Sequence, residues 1–238
     1  MDDEMAFSHV LSKFSCLFVD QFTLTIKPPR LTEKDGVTFL TPPLESGFKP
    51  IELNFQNEFK NLKINKNDLF AKAVGAKKAT TCWDTTVGFA DDSIKLLKLG
   101  FSVTGFERNS LLFDFVNKAS NREYHNATTR ERLSRFKLYN QDVKTLVTGQ
   151  FELPEVIYLD PMFPDVSNKS LPNKKMQILQ SFIGKEKESD TEELLKWALS
   201  LKVKRVVLKR PNIAPIVGHP NVSFKGKSVR YDVYFNES

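Results

Sequence analysis

From Asp68 onward, short apolar runs alternate with stretches of helical periodicity, and this alternation restricts the chain to few folds. Short apolar runs are typical of strands that are buried on both faces of a parallel sheet. A rhythm of strand and helix is typical of a sheet covered by helices. We therefore expect an α/β, Rossmann-like domain over residues 67–238. Its strands are predicted at residues 80–83, 102–106, 137–139, 156–159, 203–208 and 230–235.

The first 66 residues have a different sequence pattern, in which short strand-like segments are separated by two proline pairs. Proline interrupts regular structure, so each piece is short. The pattern predicts a small β-rich N-terminal region as a separate unit, residues 1–66. Its strands are predicted at residues 17–19, 22–26, 37–40 and 51–55.

Helical patterns fill the intervals between the later strands. Residues 93–99 form one such run, and the clearest is 190–201, where Leu194, Ala198 and Leu201 share one face. Asp190 and Glu193 have the spacing of a capping box, which predicts that this helix begins at Asp190.

The chain is basic, with 35 Lys and Arg against 29 Asp and Glu, a net charge of +6. This excess favours a polyanionic partner, although charge alone is a weak indication. Cys16 and Cys82 lie in apolar runs and are expected to be buried thiols, and three scattered histidines give no metal-site pattern. No basic, apolar leader opens the chain and no apolar run approaches membrane-spanning length. We expect a cytoplasmic protein with neither a metal nor a membrane partner.

The turn after the first predicted strand is the first candidate site. Asp84 follows the strand, Gly88 lets the backbone approach a ligand closely, and Asp91 and Asp92 precede the next helix. These carboxylates disfavour a pyrophosphate and suit a ligand that carries an ammonium and a sulfonium. The three-glycine dinucleotide pattern is absent, which argues against NAD. A polar turn with helix-capping aspartates explains the segment equally well.

Acidic side chains also follow the second and third predicted strands. Glu107 stands about 20 residues beyond the glycine turn, where an acid commonly binds the ribose hydroxyls of an adenosine-containing cofactor. Asp142 follows the third strand and could accept a hydrogen bond from an adenine amine. An ordinary loop aspartate is an equally good interpretation of Asp142.

The fourth predicted strand ends in the most specific motif of the chain, the sequence DPMFP at residues 160–164. The Asp160 carboxylate can accept a hydrogen bond from an amino group, and a carbonyl freed by Pro161 can accept a second. Phe163 can stack on a base, and the two prolines stiffen the loop. This combination predicts a catalytic loop that aligns an amine for methyl transfer by positioning and electrostatics.

With GFERN at residues 105–109 and KRVVLKRPNIAP at 204–215, this motif resembles the ribosomal RNA small subunit methyltransferase J family. LFAKAVG at 69–75, the 174–184 segment and GKSVRYDVY at 226–234 extend the resemblance over most of the chain after Leu69. The resemblance implies a class I fold that uses S-adenosylmethionine to methylate the exocyclic N2 of a guanosine in small-subunit (16S) ribosomal RNA, either free or in the assembled subunit.

The resemblance also implies roles for individual residues. Cofactor contacts are implied for Asp91 and Asp92, for Glu107 and Arg108 at the ribose and adenine, for Asp142 and Val143 near the adenine, and for Asp160 at the methyl-transfer face. The family turn usually reads GLGRD, whereas this chain has GFADD at residues 88–92. Serines usually stand where this chain has Asp142 and Val143.

Basic residues of the C-terminal half are the candidates for RNA contacts, because an RNA backbone must be held near the catalytic loop. Lys174 and Lys175 belong to the family pattern, and Lys209 and Arg210 directly follow the fifth predicted strand on the ligand side of the sheet. A solvated charged face is the simpler interpretation of most other lysines.

Two alternatives stay open on the sequence alone. DPxF-type loops also resemble those of adenine or cytosine amino-methyltransferases that act on DNA or RNA, and flipped-base chemistry is common to both groups. The altered glycine turn also allows a non-catalytic RNA-binding relative that has kept the fold and lost cofactor affinity.

Overall fold

The computed structural model describes residues 29–43, 46–123, 126–147, 149–162 and 188–236. The strands predicted at 17–19 and 22–26, together with Cys16, Phe163, Lys174 and Lys175, lie outside these residues.

A three-stranded antiparallel sheet opens the described chain, in the order β1 (Arg30–Lys34), β2 (Val37–Thr41) and β3 (Ile51–Glu52). Asp35 and Gly36 join the first two strands, both with positive φ (52° and 73°). This is the turn that an Asp-Gly pair favours in a two-residue hairpin. The sheet confirms the β-rich N-terminal region.

The strand predicted at residues 51–55 is only partly correct. After Glu52 the chain turns into helix α1 (Phe55–Asn61), because Asn54 caps it: the Asn54 side chain accepts a hydrogen bond from the Asn57 N–H at 2.9 Å. Phe55 and Phe59 are buried one turn apart on the same face. Phe55, the last residue of the predicted strand, therefore belongs to a helix.

A seven-stranded sheet forms the centre of the molecule, in the order β6-β5-β4-β7-β8-β10-β9. Its strands are β4 (Thr81–Asp84), β5 (Ser102–Phe106), β6 (Phe136–Tyr139), β7 (Val156–Leu159), β8 (Arg205–Pro211), β9 (Val222–Lys225) and β10 (Val229–Phe235). The pairs from β6 to β8 are parallel, whereas β10 pairs antiparallel with β8 and β9. All six strands predicted in this region are confirmed, and β9 was not predicted.

Helices cover both faces of this sheet, as the alternating pattern predicts. They are α2 (Leu69–Ala73), α3 (Asp91–Leu99), α4 (Ser110–Glu123), α5 (Ala127–Leu133) and α6 (Glu188–Ser200). Along β7, Val156 and Tyr158 enter one hydrophobic core and Ile157 and Leu159 enter the other, since successive side chains of a strand point to opposite faces. Residues of α6 pack in the second core.

The start of α6 corrects one expectation. The helix already includes Glu188, so Asp190 lies inside it and cannot be its N-cap. The predicted capping box between Asp190 and Glu193 is therefore wrong. Glu193 instead accepts a hydrogen bond from Lys144 at 3.4 Å.

The N-terminal sheet and α1 pack on the same side as α3 and α4. Leu40, Leu53 and Phe55 share one hydrophobic core with residues of α3 and α4 such as Leu97 and Phe115. The division of the chain into two domains near residue 66 stays a prediction.

The order of the strands places a crevice between β4 and β7. From β4 the chain proceeds to β5 and β6 on one side, and from β7 it proceeds to β8 on the other. Ligands of open α/β sheets bind at such a reversal, beyond the carboxyl ends of the strands. Asp84 and Asp160 stand at these two ends.

Candidate active site

The ends of β4 and β7 are joined by hydrogen bonds. The Thr85 N–H donates to the Tyr158 carbonyl at 3.1 Å, and the Asp160 N–H donates to the Thr86 hydroxyl at 2.8 Å. Pro161 is buried directly behind Asp160. The structure therefore brings together the glycine turn and the start of the DPMFP motif, which lie more than 70 residues apart in the chain.

Asp84 is the most deeply buried carboxyl group of the crevice. It is 1% exposed, and it accepts hydrogen bonds from the Ser93 hydroxyl at 2.5 Å and from the Thr86 N–H at 3.2 Å. Burial raises the pKa of Asp84 to about 7, in spite of the Ser93 hydrogen bond. Asp84 therefore ionises less readily than an exposed aspartate.

The turn from Gly88 to Asp92 has two residues in the left-handed region, Gly88 at φ 54° and Ala90 at φ 62°. A non-glycine residue there costs about 1–2 kcal/mol. Ala90 occupies the position where the family pattern GLGRD has its second glycine, so the backbone conformation is adopted without it. The side chain of Asp91 is exposed at the start of α3, whereas that of Asp92 is buried.

Glu107 is buried and closes the crevice on the β5 side. Its carboxylate accepts hydrogen bonds from the Gly88 N–H at 2.9 Å and from the Asn109 N–H at 2.8 Å. The carboxylate thus binds the glycine turn directly. Arg108 beside it has an exposed side chain.

Asp142 and Val143 follow β6, at the far side of Glu107. The Asp142 carboxylate accepts a hydrogen bond from the Lys144 N–H at 3.0 Å and caps a short 3-10 turn, Val143–Thr145. Val143 is buried in the second core together with Phe106. The Gln141 N–H donates to the Glu107 carbonyl at 3.1 Å, so this segment borders the crevice.

Lys209 on β8 bridges two carboxylates that the sequence does not connect. Its ammonium donates to Asp160 at 2.7 Å and to Asp92 at 2.9 Å. Asp92 also accepts hydrogen bonds from Lys95 at 2.5 Å and from the Tyr158 hydroxyl at 2.7 Å. Asp92 is therefore a structural anchor for Lys209 as well as a predicted cofactor contact.

The charges of this network shift its pKa values in opposite directions. Burial opposes ionisation of Asp92, but Lys209 and Lys95 hold its pKa well below the usual range. Burial raises the pKa of Asp160 to about 6, although Lys209 acts against it. Burial alone would lower the pKa of Lys209, and the two carboxylates raise it well above its ordinary value. Lys209 is therefore a permanent cation beside Asp160.

The predicted RNA contacts near β8 need correction. Arg210 is fully buried, and its Nη2 donates to the Pro215 carbonyl at 3.4 Å. It cannot reach an RNA backbone in this conformation, so that prediction is wrong. Lys209 is committed to Asp92 and Asp160, and its side chain is 21% exposed. Neighbouring strand residues point to opposite faces, which explains why the two cations have different surroundings.

The crevice fits a cationic adenosine cofactor. Asp84, Glu107 and Asp160 surround it with buried or half-buried carboxyl groups, two of them with raised pKa values. A ligand with a sulfonium and an ammonium would add positive charge beside these carboxyl groups and favour their ionised forms. In the residues described, no group of His, Cys, Asp and Glu has the arrangement of a metal site. None of the described helices has the length and apolar character needed to span a membrane.

This fold and this acidic crevice define the class of S-adenosylmethionine-dependent methyltransferases. The family model "Putative SAM-dependent methyltransferase" matches residues 29–236. A solved SAM-dependent methyltransferase from Neisseria gonorrhoeae is 28% identical, with a TM-score of 0.68 over 88% of this chain and 83% of its own.

Curated relatives identify the family more closely. The ribosomal RNA small subunit methyltransferase J of Hydrogenovibrio crunogenus is 34% identical over 194 residues, which covers 78% of this chain and 70% of the relative. That of Bdellovibrio bacteriovorus is 38% identical over 176 residues, covering 71% and 66%. The chain belongs to the ribosomal RNA small subunit methyltransferase J family.

Proposed function

We propose that this protein transfers a methyl group from S-adenosylmethionine to the exocyclic N2 amine of a guanosine in small-subunit ribosomal RNA, free or in the assembled subunit, in the cytoplasm. The observation that carries the proposal is the position of Asp160, a carboxylate at the end of β7 that faces the acidic crevice and is held by Lys209 at 2.7 Å. The substrate in the proposal follows from the relatives, which are ribosomal RNA small subunit methyltransferases.

S-adenosylmethionine, when bound, supplies an electrophilic methyl group on a positively charged sulfur. Asp84 and Glu107 would hold its cationic and ribose parts, since their carboxyl groups line the same crevice. The protein contributes positioning and electrostatics rather than a covalent intermediate.

Asp160 would orient the guanine amine and assist its deprotonation. As the N–C bond forms and the C–S bond breaks, positive charge develops on N2, and a nearby carboxylate stabilises that charge. N2 then loses one proton, to the Asp160 carboxylate or to water. Burial raises the pKa of Asp160, which makes its carboxylate a better acceptor for this proton than an exposed aspartate.

Methyl transfer from labelled S-adenosylmethionine to purified small subunits, free small-subunit RNA and DNA duplex tests the proposal. Label is expected in N2-methylguanosine of the ribosomal substrate. Label in N6-methyladenine or N4-methylcytosine would support an adenine or cytosine amino-methyltransferase instead. RNA binding without cofactor binding, measured by calorimetry, would support a non-catalytic relative.

Asp160→Ala is expected to lower the transfer rate at saturating cofactor roughly 10²-fold or more, because the acceptor for the amine is lost. Asp114→Ala, which removes an exposed carboxylate on α4, is the matched control and is expected to leave the rate unchanged. Near-normal turnover of Asp160→Ala would remove the DPMFP motif from catalysis.

A further inference from the structure

A second cavity, of about 570 Å³, lies at the opposite end of the seven-stranded sheet from the crevice. Val156 at the start of β7, Arg205 at the start of β8 and Phe235 at the end of the antiparallel β10 line it. These are the amino-terminal ends of the parallel strands, whereas Asp84 and Asp160 follow their carboxyl ends. The cavity is therefore separate from the methyl-transfer site.

The cavity is strongly basic. Six cationic side chains line it: Lys66, Lys72, Lys77, Lys78, Lys204 and Arg205. One acidic residue, Glu155, lies among them, and it already accepts hydrogen bonds from the Thr80 N–H at 2.6 Å and the Thr80 hydroxyl at 3.0 Å. Those hydrogen bonds lower the pKa of Glu155, so its single charge leaves a large positive excess. Such an excess attracts an anion.

Arg205 is fixed in place within this cavity. Its Nη1 donates to the Ala73 carbonyl at 2.7 Å, and its guanidinium lies over the Phe235 ring, 4.7 Å from the centroid. Gly75 makes room for it: a Cβ at Gly75 would lie 3.2 Å from the guanidinium carbon, and the φ of +69° itself favours glycine. A guanidinium held this way loses little freedom when it binds a phosphate.

The remaining wall is apolar. Phe224 and Val156 line it, and Phe235 keeps 42% of its surface exposed. Cavities of about 300–1,000 Å³ accept ligands of nucleotide size or larger. Lysines around an apolar and aromatic wall suit a phosphate together with a nucleoside, because single-stranded nucleic acids bind through backbone charge and base stacking.

We propose that this cavity is a second RNA-binding site, which takes a phosphate-bearing, single-stranded segment of the RNA remote from the methylated base. This second proposal depends on the proposed function in one respect, namely that the bound nucleic acid is ribosomal RNA. Lys209 and Arg210 make their contacts inside the protein, whereas the cationic side chains of the cavity form a positive surface of the kind that holds an RNA backbone.

Fluorescence anisotropy with a labelled single-stranded RNA of mixed sequence tests this site. The double variant K77E/K78E reverses two exposed lysines of the cavity. The control K34E/K137E makes the same charge change on β1 and on β6, the strand at the other edge of the sheet. All are measured at one salt concentration and then over a salt series.

We expect the RNA affinity of K77E/K78E to fall at least tenfold, against about twofold or less for the control. The slope of log affinity against log salt should fall by about 1.4, which corresponds to two lost phosphate contacts on a single strand. Affinity for S-adenosylmethionine should be unchanged in both variants, which shows that the fold and the crevice are intact.

Equal losses in both variants would overturn the proposal, because total charge would then account for binding. An unchanged affinity of K77E/K78E, or equally effective competition by polyglutamate, would also overturn it. Because the assay measures binding and not the methylated base, a failure to methylate guanosine would leave its result interpretable.

Discussion

Replacing Lys209 by methionine removes the cation that joins Asp160 to Asp92 while retaining an unbranched side chain of similar length. In the variant, Asp92 keeps its contacts with Lys95 and the Tyr158 hydroxyl. Asp160 loses its ion-pair partner, since among the described residues Lys209 is the one cation within ion-pair distance of it. Lys209→Met therefore leaves Asp160 as an uncompensated, half-buried carboxylate.

Breaking a buried ion pair by removing one partner costs about 3–5 kcal/mol. Because the side chains of Lys209 and Asp160 are 21% and 23% exposed, water screens part of this cost, and we expect about 2–3 kcal/mol at pH 8. The loss should shrink at lower pH. Without Lys209 the pKa of Asp160 rises further, and a raised carboxyl pKa gives stability that is present at low pH and lost as pH rises through it.

Urea unfolding of the wild type and Lys209→Met at pH 5 and pH 8 measures both effects. Lys95→Met is the matched control. It removes a cation that contacts Asp92 at 2.5 Å, and it keeps the ion pair between Lys209 and Asp160. The destabilisation by Lys95→Met should be smaller than that by Lys209→Met. It should not increase from pH 5 to pH 8, because Asp160 keeps its ion pair with Lys209. A Lys209→Met penalty that is below about 1 kcal/mol, or the same at both pH values, would refute the reasoning.

Three further variants test the crevice and the sheet below it. Glu107→Ala should weaken S-adenosylmethionine binding by about 1–3 kcal/mol, because polar partners lose their acceptor, and an unchanged calorimetric affinity would remove Glu107 from the site. Burial raises the pKa of Asp84 to about 7, so the stability that its protonated form contributes is lost as pH rises from about 4 to 7. In urea unfolding, the free energy of unfolding of Asp84→Asn minus that of wild type should therefore be larger at pH 8 than at pH 5, and a larger difference at pH 5 would contradict this. Gly105→Ala places a Cβ 2.7 Å from the Val87 Cγ2 and should lower the free energy of unfolding by about 1–3 kcal/mol in the same assay; an unchanged midpoint would show that Val87 moves freely.

The central strands were the most predictable part of the fold. The bounds predicted for β5 and β7 are those observed, and β7 is a short apolar run that is buried along its whole length. The edge strand β9 escaped prediction, since its residues are only half-buried or exposed and its sequence lacks a continuous apolar run. The Asp35-Gly36 pair was a local signal for the hairpin of β1 and β2.

The sequence predicts those site residues that directly follow an individual strand. Asp84, Glu107 and Asp160 follow strands, and sheet topology alone brings strand ends together. The bridge from Lys209 to Asp92 spans 117 residues, and no local pattern indicates it. Successive side chains of a strand point to opposite faces, so the positions of Lys209 and Arg210 on β8 already indicate that the two residues do not contact the same partner.

The nucleosides of small-subunit ribosomal RNA, compared between cells that lack the protein and cells that express it, test the central claim most directly. Wild-type protein should restore one N2-methylguanosine to the RNA, and Asp160→Ala, expressed at the same level, should not. An N2-methylguanosine content that is the same in all three, or a change in a different methylated base, would contradict the proposed reaction.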